Sequence, residues 1–156
     1  MNKKIVDFLN FLNDSPTAIQ ASNEIIIRLE ESGFKELKEE EQWSLQDGDK
    51  YYVCRDTSVV AFTLGSNNLL DTGYKIGAAH IDSPSLKIKP ESIKTENSIT
   101  SISVEVYGSP IISSWIDRSL GIAGRVAVKE EDNLKILRVN LKQPVAVIPN
   151  AALHLN

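Results

Sequence analysis

The chain has 156 residues, 42% hydrophobic and 24% charged, the composition of an ordinary globular protein of one domain or two small ones. Its formal net charge of -4 argues against nucleic acid, which is bound through a basic face. No stretch approaches the ~18 consecutive apolar residues of a membrane-spanning helix, so no membrane partner is expected.

The single cysteine, Cys54, excludes an intramolecular disulfide. "MNKKIVDFLNFLN" reaches Asp7 and Asn10 too soon for a secretory signal, and the two features together predict a cytoplasmic protein. Ile5, Phe8, Leu9 and Leu12 recur at steps of three and four and predict a short amphipathic helix. "NDSPT" breaks it. Ser15 and Pro16 then read as N-cap and first residue of a second helix. Ala18, Ala21, Ile25, Ile26 and Leu29 form its apolar face, and Gly33 is its C-terminal stop. Lys38-Glu39-Glu40-Glu41 reads as a solvated turn.

Beyond this point the period shortens. "KYYVCR" (50–55) and "SVVAFTLG" (58–65), separated by Asp56 and Thr57, predict a hairpin. "YKIGAAH" (74–80) predicts a third strand, small, apolar and buried. Helices followed by such strands point to an α/β or α+β layer, and α/β is the fold class expected. From "SLKIKP" (85–90) onward, "SITSISVEVYG", "GIAGRVAVK", "LKILRVNL" and "VAVI" predict short strands with turns between them. The expected division is residues 1–86 as an α/β part and 87–156 as a β-rich part.

His80 and Asp82 are the chemically suggestive pair. Neutral imidazole is a good zinc ligand. In extended chain, residues two apart point to one side, so Asp82 is able to reach the site of His80 and orient its ring. The spacing serves equally for a strand-end histidine bonded to backbone, with Asp82-Ser83-Pro84 as a turn. A catalytic zinc takes about three protein ligands, and no H-E-x-x-H or C-x-x-C is present to supply them. Trp115, Asp117 and Arg118 form a second block. Arg118 is a candidate for a substrate carboxylate; Trp115 packing in the β-rich part, with Asp117 and Arg118 paired across strands, is the plainer reading. Tyr51, Tyr52 and Cys54 read as sheet residues without chemistry.

"AHIDSPSLKIKP" resembles the "AHxDSPxLxxKP" signature of the M18 metalloaminopeptidases, the aspartyl aminopeptidase family. "VEVYGSPIISSWIDRSLGIAGRVAVK" and "PVAVIPNAALHLN" are similar to two further blocks of that family. "FLNFLNDSPTAIQASNEIIIRLEESGFKEL" resembles its opening helices. The resemblance implies a two-zinc exopeptidase with an α/β catalytic domain, a β-rich dimerisation domain inserted in it, and a homo-oligomeric assembly. It implies His80 as a zinc ligand, Asp82 as the catalytic carboxylate that orients it, and His154 as a substrate-contacting histidine that reaches a neighbouring subunit.

The implied substrates are peptides with an acidic or neutral N-terminal residue. The family's remaining ligands and its Glu-Glu pair fall beyond residue 156. The expectation is therefore an N-terminal portion, inactive alone; a non-catalytic M18-like module that assembles with a full-length paralogue is the alternative. Two departures stand out. Ser109 replaces a second glycine, and a histidine the family often carries in the early "SPTAIQAS" stretch is missing, with Gln20 close by.

Overall fold

The computed structural model describes residues 2–131 and 133–152. It is of the α/β class, with helices first and β-structure after. Helix α1 (Lys3–Asp14) is capped by Asn2, whose side chain accepts the Lys4 N–H. Helix α2 (Ala18–Glu31) starts later than the Ser-Pro pair predicts. Its N-cap is Thr17, whose Oγ1 accepts the Ile19 N–H at 3.3 Å. A β-configured residue with a side-chain acceptor ends the orphan N–H row, and Thr17, at φ -139° and ψ 166°, meets that need.

The stop is as predicted. Gly33 takes φ 82°. Its N–H donates to Glu30 O at 2.9 Å, and the Phe34 N–H donates to Leu29 O at 3.0 Å. That is a Schellman cap, closing the last turn with two bonds. Arg28 joins the helices, donating to Asp7 at 3.0 Å and to Glu24 at 2.9 Å.

Strands β1 (Lys35–Glu36), β2 (Lys50–Arg55) and β3 (Ser58–Thr63) form one sheet. β1 is parallel to β2, and β2–β3 is the predicted hairpin, with Arg55 opposite Ser58. Asp56 in its turn takes φ 56°, a conformation that aspartate tolerates. Lys38 to Glu41 is the exposed turn expected of it. A short helix α3 (Leu69–Thr72) follows. Residues 73–84 then carry no strand.

This overturns the expected buried strand at 74–80. Tyr74 is 75% and Ile76 86% exposed. An apolar run becomes a buried strand only when neighbours take its N–H and C=O groups, and among the described residues no strand pairs with it.

β4 (Ser85–Glu96) pairs with β5 (Ile99–Tyr107), antiparallel. β4 continues past Pro90 through a bulge between Ile88 and Ile93, where Glu91 takes φ 51°; a bulge is one of the places a strand tolerates proline. β6 (Leu120–Glu130) pairs with β7 (Asn133–Ala146). β7 absorbs the start of "VAVI", which is not a separate strand. A 3-10 turn, Ile112–Ser114, lies between β5 and β6.

By contacts the chain forms two compact units, Met1–Asp82 with Ala123–Asn140, and Ser83–Ile122 with Leu141–Asn156. In the first, Tyr51 and Tyr52 are buried and α2 buries Ala21. In the second, apolar side chains such as Ile93, Ile99 and Val106 stay mostly exposed.

Candidate metal centre

His80 lies on the irregular segment that leads to β4. Its side chain is 82% exposed. The Nδ1–H donates to the backbone carbonyl of Asp82 at 2.7 Å, and the Asp82 carboxylate stands 3.3 Å from the same nitrogen. The carbonyl only accepts, so this bond puts the ring proton on Nδ1 and leaves the Nε2 lone pair available. The nearer acceptor is the backbone carbonyl, as in the plainer reading of the pair, and the Asp82 carboxylate stands beside it. His80 is not held at the end of a sheet strand, because 74–80 is not one.

The donors do not complete a zinc site. No group of three or more His, Cys, Asp or Glu side chains able to hold a metal occurs among the described residues. A single imidazole with a neighbouring carboxylate is one ligand position and its support, short of the three that a catalytic zinc takes. His154 lies outside the described residues.

The second block differs from the plainer expectation. Arg118 donates to the Ser114 carbonyl at 3.3 Å. Asp117 accepts the Asn150 N–H on Oδ1 at 2.9 Å, and its own N–H donates to Ile148 O at 2.9 Å. Its partners are backbone groups of residues 148–150, so the cross-strand pairing with Arg118 is replaced by a link to a distant segment. Sequence reasoning missed this role. The available signal was an aspartate between Ile116 and Arg118 where the chain turns; it takes φ 54°.

Cys54 sits in β2 with its thiol pKa raised, first by burial and then by Glu36 and Asp56. A thiol held protonated is a poor nucleophile, in accord with its sheet role. It lines a cleft of about 610 Å³ that also includes Ile19, Ile26 and Arg125, and neither His80 nor Asp82 borders it.

The family model for aminopeptidase I zinc metalloproteases (M18) matches residues 11–156. The chain belongs to the M18 family. A probable M18 family aminopeptidase 2 of Clostridium acetobutylicum is 44% identical over 158 residues, covering 99% of this chain and 36% of its own length. The Clostridium novyi protein of the same name is 43% identical over 154 residues, covering 96% and 36%. Among solved structures, the S. cerevisiae mApe1 dodecamer superposes with a TM-score of 0.86 at 30% identity, covering 96% of this chain and 36% of that one. Aminopeptidase I from Borrelia burgdorferi B31 gives 0.72 at 28% identity, covering 97% and 39%. The chain thus spans about 36% of the length of the curated M18 relatives it matches. Among the described residues no helix is long and apolar enough to cross a membrane.

Proposed function

We propose that this chain contributes the N-terminal part of a zinc aminopeptidase that removes acidic or neutral residues from peptide N-termini. The α/β part supplies a share of the catalytic domain, and the β-rich part begins a dimerisation domain. Membership of the M18 family supports the class of reaction. The observation that carries the site assignment is the bond from His80 Nδ1–H to the backbone carbonyl of Asp82 at 2.7 Å, with the Asp82 carboxylate beside it at 3.3 Å. A ligand histidine needs its other nitrogen fixed by an acceptor, and this bond does so while Nε2 remains open.

In this reading His80 is a ligand of one of two zinc ions, Asp82 holds its ring, and His154 contacts substrate in a neighbouring subunit. The remaining ligands come from outside the described residues. The isolated chain supplies one ligand and is inactive. The lone cysteine supports a cytoplasmic location, and the dodecameric S. cerevisiae relative supports a homo-oligomer.

The test is hydrolysis of glutamyl-, aspartyl-, leucyl- and alanyl-p-nitroanilide with zinc present. The 156-residue chain alone should give no turnover. A chimera in which this chain replaces the matching N-terminal part of a full-length M18 relative should be active and lose activity on His80→Ala. Turnover by the isolated chain that survives His80→Ala would overturn the assignment.

A further inference from the structure

The cleft that Cys54 borders is lined wholly by residues of the first unit. Its volume of about 610 Å³ falls in the range of roughly 300–1,000 Å³ that small-molecule sites occupy. Helix α2 forms one wall. Ile19, Asn23 and Ile26 line the cleft from that helix, and steps of four and three put them on one face. Strand β7 contributes Ile136 and Arg138.

The charges in the cleft do not balance. Asp56 is the one carboxylate among its lining residues, and Arg125, which also lines it, pairs with Asp56 at 2.5 Å. Arg138 is left without a counter-ion. The sequence has five arginines. Arg28, Arg55 and Arg125 are in ion pairs, and Arg118 donates to a carbonyl. Among the described residues Arg138 is the one arginine with neither a hydrogen bond nor an ion pair, and the half-buried side-chain amide of Asn23 has no partner there either. Arg138 is exposed, so a ligand in solution reaches it.

We propose that this cleft binds a small carboxylate with an aliphatic body. A guanidinium presents its donors in a planar fork that matches a carboxylate with two parallel bonds, and Arg138 has that fork free. Asn23 supplies a further polar group. The aliphatic body lies against Ile19, Ile26 and Ile136, where removal of apolar surface from water adds a non-directional share of the affinity. An anion without such a body leaves that wall wet, and an aliphatic molecule without charge leaves Arg138 unpaired. The cleft owes nothing to the roles given to His80 and Asp82, neither of which lines it.

Isocaproate is the probe, titrated into the isotope-labelled 156-residue chain and followed by amide chemical shifts. Saturable shifts should centre on the cleft residues of α2 and β7. Half-saturation should fall in the millimolar range, the affinity open to a ligand of about eight non-hydrogen atoms. Isocaproamide has the same shape without the charge and should bind about tenfold more weakly, because charge-assisted bonds are roughly twice as strong as neutral ones. Inorganic phosphate, an anion with no aliphatic body, should also bind about tenfold more weakly. Arg138→Gln should weaken isocaproate by about tenfold and leave isocaproamide unchanged.

The absence of saturable shifts at the cleft residues would overturn the site. Isocaproamide bound as tightly as isocaproate would overturn the role of Arg138, and phosphate bound as tightly would overturn that of the aliphatic wall. Both comparisons use the unsubstituted chain, so they decide the matter whether or not Arg138→Gln folds.

Discussion

Gln20 and Val139 are 119 positions apart, and the Gln20 side-chain amide donates to the Val139 carbonyl at 3.0 Å. The same nitrogen donates to the Gly124 carbonyl at 3.3 Å, while Gln20 Oε1 accepts from Thr17 Oγ1. One side chain on the first turn of α2 thus joins the helix cap to both β6 and β7. Arg125 adds an ion pair to Asp56 at 2.5 Å within the same unit, so the middle of the β6–β7 hairpin is held at more than one point.

Gln20→Ala removes the shared donor and leaves part-buried carbonyls without it. The expected loss is about 1–2 kcal/mol, the usual cost of an abandoned acceptor. Chemical denaturation should show a lower midpoint at an unchanged slope. An unchanged midpoint would mean that the hairpin is held by other contacts.

Tyr52 is 1% exposed, and its hydroxyl donates to Glu30 Oε1 at 2.7 Å. Burial, then the bond to Glu30, raises its pKa well above the ordinary phenol value. The folded state therefore keeps the proton that the unfolded chain releases near pH 10. The stabilisation is complete below that pH and declines as pH rises above it. Tyr52→Phe should cost about 1 kcal/mol at neutral pH, as one net hydrogen bond, and should flatten the alkaline decline. Midpoints measured between pH 8 and pH 11 decide it; equal slopes in both proteins would contradict the account.

Ser109 and Gly108 follow β5, with φ 54° and φ 73°. A Cβ on Gly108 would stand 3.1 Å from Pro84 Cα, so Gly108→Ala adds a close contact to an unfavourable backbone. It should destabilise by more than about 1 kcal/mol. Ser109→Gly has the opposite sign, because it relieves a left-handed serine, and should stabilise by up to about 1 kcal/mol. Thermal unfolding of the two variants would show shifts in opposite directions. A shift of the same sign in both would count against the strain assigned to Ser109.

The elements legible in the sequence are those whose signal is local. The three-and-four spacing from Ile5 to Leu12 and the run before Gly33 give α1 and α2, and the β-branched runs around Asp56 give the β2–β3 hairpin. What the sequence hides depends on partners. Residues 74–80 have strand composition, but among the described residues no strand lies beside them. Ser15-Pro16 and Thr17 compete as helix starts, and the winner is the residue whose oxygen meets an amide. His80 and Asp82 are visible as a pair; the backbone acceptor at 2.7 Å that sets the ring proton is not. Asp117 shows the same limit, since its partners at 148 and 150 are distant in sequence.

In the function proposed above, His80 is one ligand of a zinc site whose other ligands lie outside the described residues. Metal analysis of the purified 156-residue chain, dialysed against a trace of zinc, tests it most directly. The expected result is less than one zinc per chain, weakly held and lost on His80→Ala, since a lone imidazole supported by Asp82 falls short of a closed donor set. Two tightly held zinc ions per chain would contradict it, because the chain would then complete the site from its own residues.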